Sequence, residues 1–175
     1  MAIDVDLSGG SSSASSPWRA AAADEDTRRA YTEADFDDHA WAPITVPGHW
    51  RSNPAFRTSD GPVLHRRSFT TPAPFGPGAD DADRRTWLVL DGVFYTSDVW
   101  LDGTYLGDTE GYFFPQAFEI TEPMATGPDH LLAIEVACAR PTDLKAKRNL
   151  TGAFQHGDLL DQDANPGGIW RPVRL

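Results

Sequence analysis

Cysteine is almost absent from this sequence of 175 residues, with one copy at position 138. A single thiol can form neither an intrachain disulfide nor a thiolate zinc cluster. No run approaches the ~20 apolar residues of a transmembrane helix, and the first residues lack the basic start and apolar stretch of a signal peptide. These absences predict a soluble, cytoplasmic chain with no membrane partner.

Positive charge is also scarce, because 15 Lys and Arg residues stand against 26 Asp and Glu residues, for a net charge of −11. A surface this acidic repels phosphate backbones and anionic lipid headgroups. The sequence therefore predicts no nucleic-acid partner.

Common catalytic and cofactor patterns are missing as well. The five histidines, at positions 39, 49, 65, 130 and 156, do not have the spacing of metal ligands. No phosphate loop, dinucleotide glycine fingerprint or Gly-x-Ser-x-Gly elbow is present. Carboxylates are abundant, but sequence spacing in a β-rich chain does not place two of them at the separation that glycoside hydrolysis needs. We therefore predict no catalytic residue, no metal and no cofactor.

What the sequence does contain is glycine, proline and aromatic residues, with 15 Gly, 14 Pro and 11% aromatics. That balance favours short strands joined by many turns. Asp102-Gly103, between two apolar runs, predicts a tight hairpin, because a type I′ turn needs positive φ at both positions. The pattern predicts an all-β antiparallel β-sandwich with strands over 44–46, 63–70, 84–90, 97–101, 104–106, 112–120, 131–139 and 169–175.

The beginning of the chain has a different composition. Residues 8–16 are rich in serine and glycine, and 18–31 hold most of the good helix formers. We therefore expect a mobile N-terminal segment over 1–35, with room for one short helix, and the sandwich over 36–175.

Aromatic side chains are the feature most suggestive of binding, since flat rings stack on sugar faces. Trp87, Trp100 and Phe118 occupy strand positions, where packing in the core is expected. Trp50 and Trp170 lie beside glycine-containing turns and are weaker candidates for the core. Further rings in the β region are Trp41, Phe56, Phe94, Tyr95, Tyr105, Tyr112, Phe113 and Phe114.

A series of motifs runs in order through the β region, at 41–50, 61–69 with its His-Arg-Arg, 88–93, 98–103, 106–107, 110–112, 118–121 and 165–171 with its Gly-Ile-Trp-Arg. Together these segments resemble the amino-terminal sugar-binding domain of glycoside hydrolase family 2, which includes β-galactosidases, β-glucuronidases and β-mannosidases. The resemblance implies a jelly-roll-like, galactose-binding-domain-like sandwich.

The resemblance also implies a non-catalytic role, because in that family both catalytic glutamates belong to a (β/α)₈ barrel, which needs ~250 residues. The partners implied are a carbohydrate and the barrel and immunoglobulin-like domains of a longer chain. Asp163, or alternatively Asp161, corresponds to an aspartate that reaches the sugar pocket, and Ser59 and Asp60 to an early loop that holds an asparagine in galactosidases. A free-standing carbohydrate-binding module and a structural or interaction sandwich stay open as alternatives.

Overall fold

The computed structural model describes residues 3–9, 16–59, 61–72, 75, 84–111, 113–138 and 167–175. Strands dominate these residues, and the helices are short. The elements are β1 Arg19–Ala22, α1 Glu25–Ala30, β2 Ala42–Pro43, β3 Val63–Thr70, β4 Trp87–Leu90, β5 Val93–Phe94, β6 Thr96–Leu101, β7 Thr104–Glu110, β8 Gln116–Glu119, α2 Thr121–Met124, β9 Asp129–Ala137, β10 Gly168–Ile169 and β11 Val173–Arg174.

Two layers of antiparallel strands form the body of the molecule. The larger sheet has the order β2-β1-β3-β9-β6-β7, and the smaller one has the order β11-β4-β8. The first residues lengthen the smaller sheet, because Val5 donates its N–H to Leu175 over 2.8 Å and Leu7 donates to Val173 over 2.7 Å. A short ladder joins β10 to β5. This architecture confirms the all-β antiparallel sandwich expected from the sequence.

The core lies between the two sheets and follows the period-2 pattern of their strands. In β6, Ser97, Val99 and Leu101 are buried, while the residues between them are partly exposed. Leu88 and Leu90 of β4 bring the second layer into the same cluster as Val99 and Leu101. Alternation of this kind is what a strand with one face on a core requires.

Strand alternation also decides which tryptophans reach the core. Trp87 begins β4 and is 44% exposed, so the expectation that it packs in the core is wrong. Leu88 and Leu90 take the inward positions of the strand, and Trp87 therefore faces outward. Trp50, a weaker candidate for the core in the sequence, is fully buried, whereas Trp170 is half-buried.

The predicted hairpin is present between β6 and β7. Asp102 and Gly103 have φ values of 51° and 76°, as a type I′ turn needs. The Asp102 carboxylate also accepts a hydrogen bond from the Leu131 N–H over 2.7 Å and lies 2.7 Å from Nδ1 of the buried His130. The turn is therefore fastened to β9 as well as to its own strands.

The start of the chain differs from the expectation drawn from its composition. Residues Arg19–Ala22 pair with both β2 and β3, and Trp18 and Ala20 are buried, so the sandwich includes residues upstream of 36. Alanine by itself favours a helix, but pairing with β3 outweighs that preference here.

The helix formers of this region make only α1. It begins after Asp24, whose side chain accepts the Thr27 N–H and so satisfies one donor of the first turn. Two 3₁₀ turns follow β2, at Trp50–Ser52 and Pro54–Phe56. Within the described ranges, no helix is both long and apolar enough to cross a bilayer.

The two adjacent arginines of β3 point to opposite faces of the larger sheet. Arg67 lies on the core side and donates to the Ser8 carbonyl over 2.8 Å, and burial lowers its pKa. Arg66 lies on the outer side and donates to Asp38 over 2.9 Å and to the carbonyl of Tyr31. The Arg-Arg pair therefore holds one segment of chain on each face of the sheet.

Candidate functional site

Of the four residues predicted to contact a sugar, the structure locates Ser59. It is half-buried, and its N–H donates to the Phe56 carbonyl over 3.0 Å, directly after the second 3₁₀ turn. Asp60, Asp161 and Asp163 lie outside the described residues. The assignment of all four to sugar contact stays a prediction.

The segment that leads to Ser59 is joined to β10 through Trp50. The Trp50 N–H donates to the Gly167 carbonyl over 2.9 Å, and the Gly48 N–H donates to the Ile169 carbonyl over 2.8 Å. The Trp50 side chain is fully buried, and a Cβ added to Gly167 would lie 2.1 Å from its ring. Glycine is therefore required at position 167 for the indole to pack there.

The end of β9 approaches the same segment. Burial raises the pKa of the Cys138 thiol to about 12, and the positive charge of Arg51 opposes that shift. Cys138 and Gly167 are the described residues on either side of 139–166. Cys138 follows Ala137, whose carbonyl accepts the Tyr95 N–H, and Gly167 precedes Gly168, which pairs with Phe94. These two residues therefore lie at the same end of the sandwich.

Tyr95 connects the ends of further strands at this end of the sandwich. Its N–H donates to the Ala137 carbonyl over 3.0 Å, and its own carbonyl accepts the Gly111 N–H over 3.0 Å. Its hydroxyl donates to the Glu110 carboxylate over 3.3 Å. The ends of β7 and β9 are therefore fixed relative to β5, whose Phe94 pairs with Gly168 of β10.

Partly exposed aromatic side chains occur in the segments that leave this junction. We call Phe113, Phe114, Trp170 and Arg171 the aromatic rim. Phe113 and Phe114 are 42% and 76% exposed. The Phe113 ring meets the half-buried Trp170 edge-on at 6.1 Å between centroids, and the Arg171 guanidinium lies 4.5 Å from the centroid of the Trp170 ring, over its face. Large rings in contact with water beside a cation suit a ligand that is both polar and flat-faced.

The chemistry available at the rim matches that of a saccharide. The face of an aromatic ring carries a partial negative charge and attracts the C–H groups of a pyranose. The guanidinium of Arg171 can donate to hydroxyl oxygens. The Glu110 carboxylate accepts from the Tyr95 hydroxyl at the junction that precedes Phe113, and a carboxylate has room for further hydroxyl donors. These groups can therefore hold and orient a sugar.

The sequence does not predict the rim as a site, although its aromatic rings are candidates for sugar contact. Arg171 and Glu110 lie inside the family motifs at 168–171 and 110–112, but nothing else in the sequence marks them as sugar contacts. Their position at one end of the sandwich depends on the pairing of β10 with β5 and on the Tyr95 hydrogen bonds. In the sequence, only the family motifs indicate these residues, and the motifs do not show that Arg171 and Glu110 lie at the same end of the sandwich.

Comparison with protein families decides what kind of domain this is. A model described as the glycosyl hydrolase 2 galactose-binding domain-like family matches residues 18–166. The chain belongs to this family. The match confirms the resemblance found in the sequence, and it covers the galactose-binding-like N-terminal domain and not the catalytic barrel of family 2 glycosidases.

Relatives of this family 2 domain are several times longer than the chain. A β-galactosidase of Psychromonas ingrahamii is 27% identical over 115 residues, covering 55% of the chain and 10% of that protein. A β-glucuronidase of Formosa agariphila is 25% identical over 115 residues, covering 66% of the chain and 11% of that protein. The chain therefore spans about a tenth of the length of these curated relatives.

Solved structures agree on the fold. The β-glucuronidase of Bacteroides uniformis aligns with a TM-score of 0.69 at 19% identity, covering 98% of the chain and 17% of that protein. The β-glucuronidase of Bifidobacterium dentium, complexed with coumarin-3-O-glucuronide, aligns with a TM-score of 0.58 at 25% identity, covering 76% of the chain and 20% of that protein. This family 2 domain thus has the fold of one part of much larger enzymes.

Proposed function

We propose that this family 2 domain contacts the saccharide of a β-glycosidase through its aromatic rim and takes no direct part in bond cleavage. The observation that carries the proposal is the contact of Phe113 and Arg171 with Trp170, at the end of the sandwich where Cys138 and Gly167 lie. The proposal includes Ser59, Asp60, Asp161 and Asp163 as further contacts, with Asp163 preferred to Asp161.

The relatives support this proposal by their names. Proteins named β-galactosidase and β-glucuronidase contain a segment similar to the chain. Both names denote hydrolysis of β-glycosidic bonds, so a carbohydrate-processing role is the shared element.

We propose further that the hydrolytic residues belong to a (β/α)₈ barrel, with an immunoglobulin-like domain as another partner. Glycoside hydrolysis needs two carboxyl groups placed ~5–10 Å apart on either side of the scissile bond. The chain matches only the N-terminal domain of family 2 glycosidases, and this supports placing that pair in another part of a longer protein. A cytoplasmic location stays a prediction from the sequence.

Calorimetric titration with methyl β-galactoside and methyl β-glucuronide tests the proposal. We expect the chain to bind one of them with a dissociation constant of ~1 mM, about −4 kcal/mol. Trp170→Ala is expected to weaken that binding at least about fivefold, because it removes a ring from the rim. Tyr105→Ala is the matched control, since Tyr105 is 51% exposed on β7 and lies outside the rim.

Two results would contradict the proposal. One is the absence of binding to either glycoside, and the other is equal affinity in the Trp170→Ala variant and the wild-type chain. Circular dichroism of each variant distinguishes a lost contact from a lost fold.

A further inference from the structure

The outer face of the smaller sheet holds a cleft of about 270 Å³. We call it the outer cleft and define it by Trp87, Arg85, Arg174 and Asp4, which all line it. Small-molecule sites usually measure ~300–1,000 Å³. A volume just below this range suits one sugar ring better than an extended ligand.

Trp87 supplies the flat surface of the outer cleft. It is 44% exposed at the outward-facing first position of β4, and Val89, the next outward position, also lines the cleft. An exposed indole on a sheet face offers a hydrophobic plane on which a pyranose can stack.

Arg174 is held beside this indole in a fixed orientation. Its Nε and Nη2 atoms each donate to Asp91 over 2.6 Å, and its Nη1 donates to Asp4 over 2.5 Å. These hydrogen bonds, first those that Asp91 accepts and then the one that Asp4 accepts, raise the pKa of Arg174. The Asp4 side chain is still 58% exposed, so its carboxylate remains accessible to a ligand.

Arg85 brings a second ion pair to the cleft. Its Nη1 donates to the Glu119 carboxylate over 2.7 Å, and its side chain is 66% exposed. Glu119 is the residue paired with Trp87 across β4 and β8. Arg85 lines the cleft, and its partner Glu119 lies across the strand pair from Trp87. The indole is therefore flanked by the Arg85–Glu119 pair, and the Arg174–Asp4 pair lies in the same cleft.

These charges favour a neutral, hydroxylated ligand. Arg84, Arg85 and Arg174 all line the cleft, and none of them is without a partner. At Arg174 and Arg85 an anion would compete with the carboxylates of Asp4, Asp91 or Glu119. A protein surface docked here would remove exposed ion pairs from water. That desolvation costs free energy unless polar groups of the partner take the place of the lost water. Sugar hydroxyls both donate and accept, and they can bond to each pair without breaking it.

We propose that the outer cleft binds one pyranose ring of a neutral saccharide, with the ring stacked on Trp87 and its hydroxyls bonded to the Arg174–Asp4 and Arg85–Glu119 pairs. This site lies on the smaller sheet, is made of residues other than those of the aromatic rim, and does not depend on the function proposed for the rim. It would give the domain a second contact with a sugar polymer.

Affinity electrophoresis of the intact chain tests this proposal, with soluble β-glucan, soluble β-1,4-galactan or polygalacturonate cast in the gel. We expect a neutral polymer to retard the wild-type chain and polygalacturonate to retard it less. Trp87→Ala is expected to weaken retardation at least about fivefold, and Trp87→Phe to retain part of it. Asp4→Asn is expected to weaken it severalfold, because one acceptor is lost.

The rim variant Trp170→Ala separates this site from the proposed function. It is expected to keep most of the polymer retardation while weakening methyl glycoside binding at least about fivefold. Trp87→Ala is expected to weaken the polymer retardation while keeping most of the methyl glycoside binding. Equal retardation of the wild-type chain and Trp87→Ala, or no retardation by any neutral polymer, would overturn the outer cleft as a saccharide site. Light scattering showing a dimer that Trp87→Ala dissociates would overturn it in favour of an interface between copies.

Discussion

The Arg66 guanidinium donates to the Asp38 carboxylate over 2.9 Å on the outer face of the larger sheet. The Arg66 side chain is 3% exposed, and it also donates to the Glu33 carbonyl over 3.0 Å and lies 5.1 Å from the centroid of the Phe36 ring. One side chain therefore fastens the segment after α1 to β3.

Arg66→Met is expected to lower the free energy of unfolding by ~3 kcal/mol, because it leaves Asp38 and buried carbonyl groups without their donor. Urea unfolding followed by circular dichroism measures the change. The control is Arg85→Met, which breaks the exposed pair with Glu119 and is expected to cost less than ~1 kcal/mol. Equal losses in the two variants would contradict the role given to Arg66.

Gly167→Ala is expected to destabilise the fold by at least the ~1–3 kcal/mol typical of an overpacked core. The added Cβ would lie within 2.1–2.5 Å of three atoms of the Trp50 ring. Gly127→Ala is the control, since no atom lies within 4 Å of its added Cβ. Thermal unfolding measures both changes.

A double variant shows whether the effect at Gly167 comes from Trp50. Phenylalanine lacks the outer ring atoms of the indole that the added Cβ would touch. We therefore expect Gly167→Ala to cost less stability in a Trp50→Phe background than in the wild-type chain. An equal cost in the two backgrounds would show that the contact is not the cause.

Acid is expected to destabilise the fold through His65. Burial lowers its pKa from 6.5 to about 4 in the folded chain. Between these values the unfolded chain takes up a proton on His65 that the folded chain does not, so stability falls as the pH drops from ~6.5 to ~4 and this loss ends below ~4. This difference in proton uptake lowers the free energy of unfolding by ~3 kcal/mol between pH ~6.5 and ~4.

Urea unfolding at several pH values between 7 and 4 measures this dependence. His65→Gln removes the titrating group. We therefore expect the free energy of unfolding of the variant to fall less between pH 7 and pH 4 than that of the wild-type chain. Parallel curves for the wild-type chain and the variant would assign the acid sensitivity to other groups.

The Cys138 thiol is expected to react slowly in the folded chain. Burial raises its pKa to about 12, and only the thiolate attacks disulfide reagents. At pH 8 the reaction with Ellman's reagent should be slow in buffer and fast in urea, where the thiol is exposed. Fast reaction in buffer is incompatible with the buried position at the end of β9.

The sequence predicted the sandwich well where local chemistry and tertiary structure agree. The bounds of β3 match the prediction, and Asp102-Gly103 forms the expected turn. Arg19–Ala22 joins the larger sheet despite its alanines, because pairing with β3 is a long-range effect that composition does not reveal. The strand position of Trp87 predicts a core residue, and this prediction is wrong because the apolar run 87–90 does not itself show which of its residues face inward.

The candidate site was less predictable, for a physical reason. The rim is formed by segments more than fifty residues apart, such as Phe113 and Trp170, and strand pairing sets their position. Motifs identified the Gly-Ile-Trp-Arg stretch but not the residues that meet it. Family resemblance supplied Asp161 and Asp163, which stay predictions.

Saturation-transfer NMR of p-nitrophenyl β-galactoside and β-glucuronide mixed with the wild-type chain tests the central claim most directly, because one sample reports both contact and cleavage. We predict transfer to the sugar protons of at least one glycoside and no accumulation of p-nitrophenol. Release of p-nitrophenol by the purified chain, or the absence of transfer to either sugar, would contradict the claim.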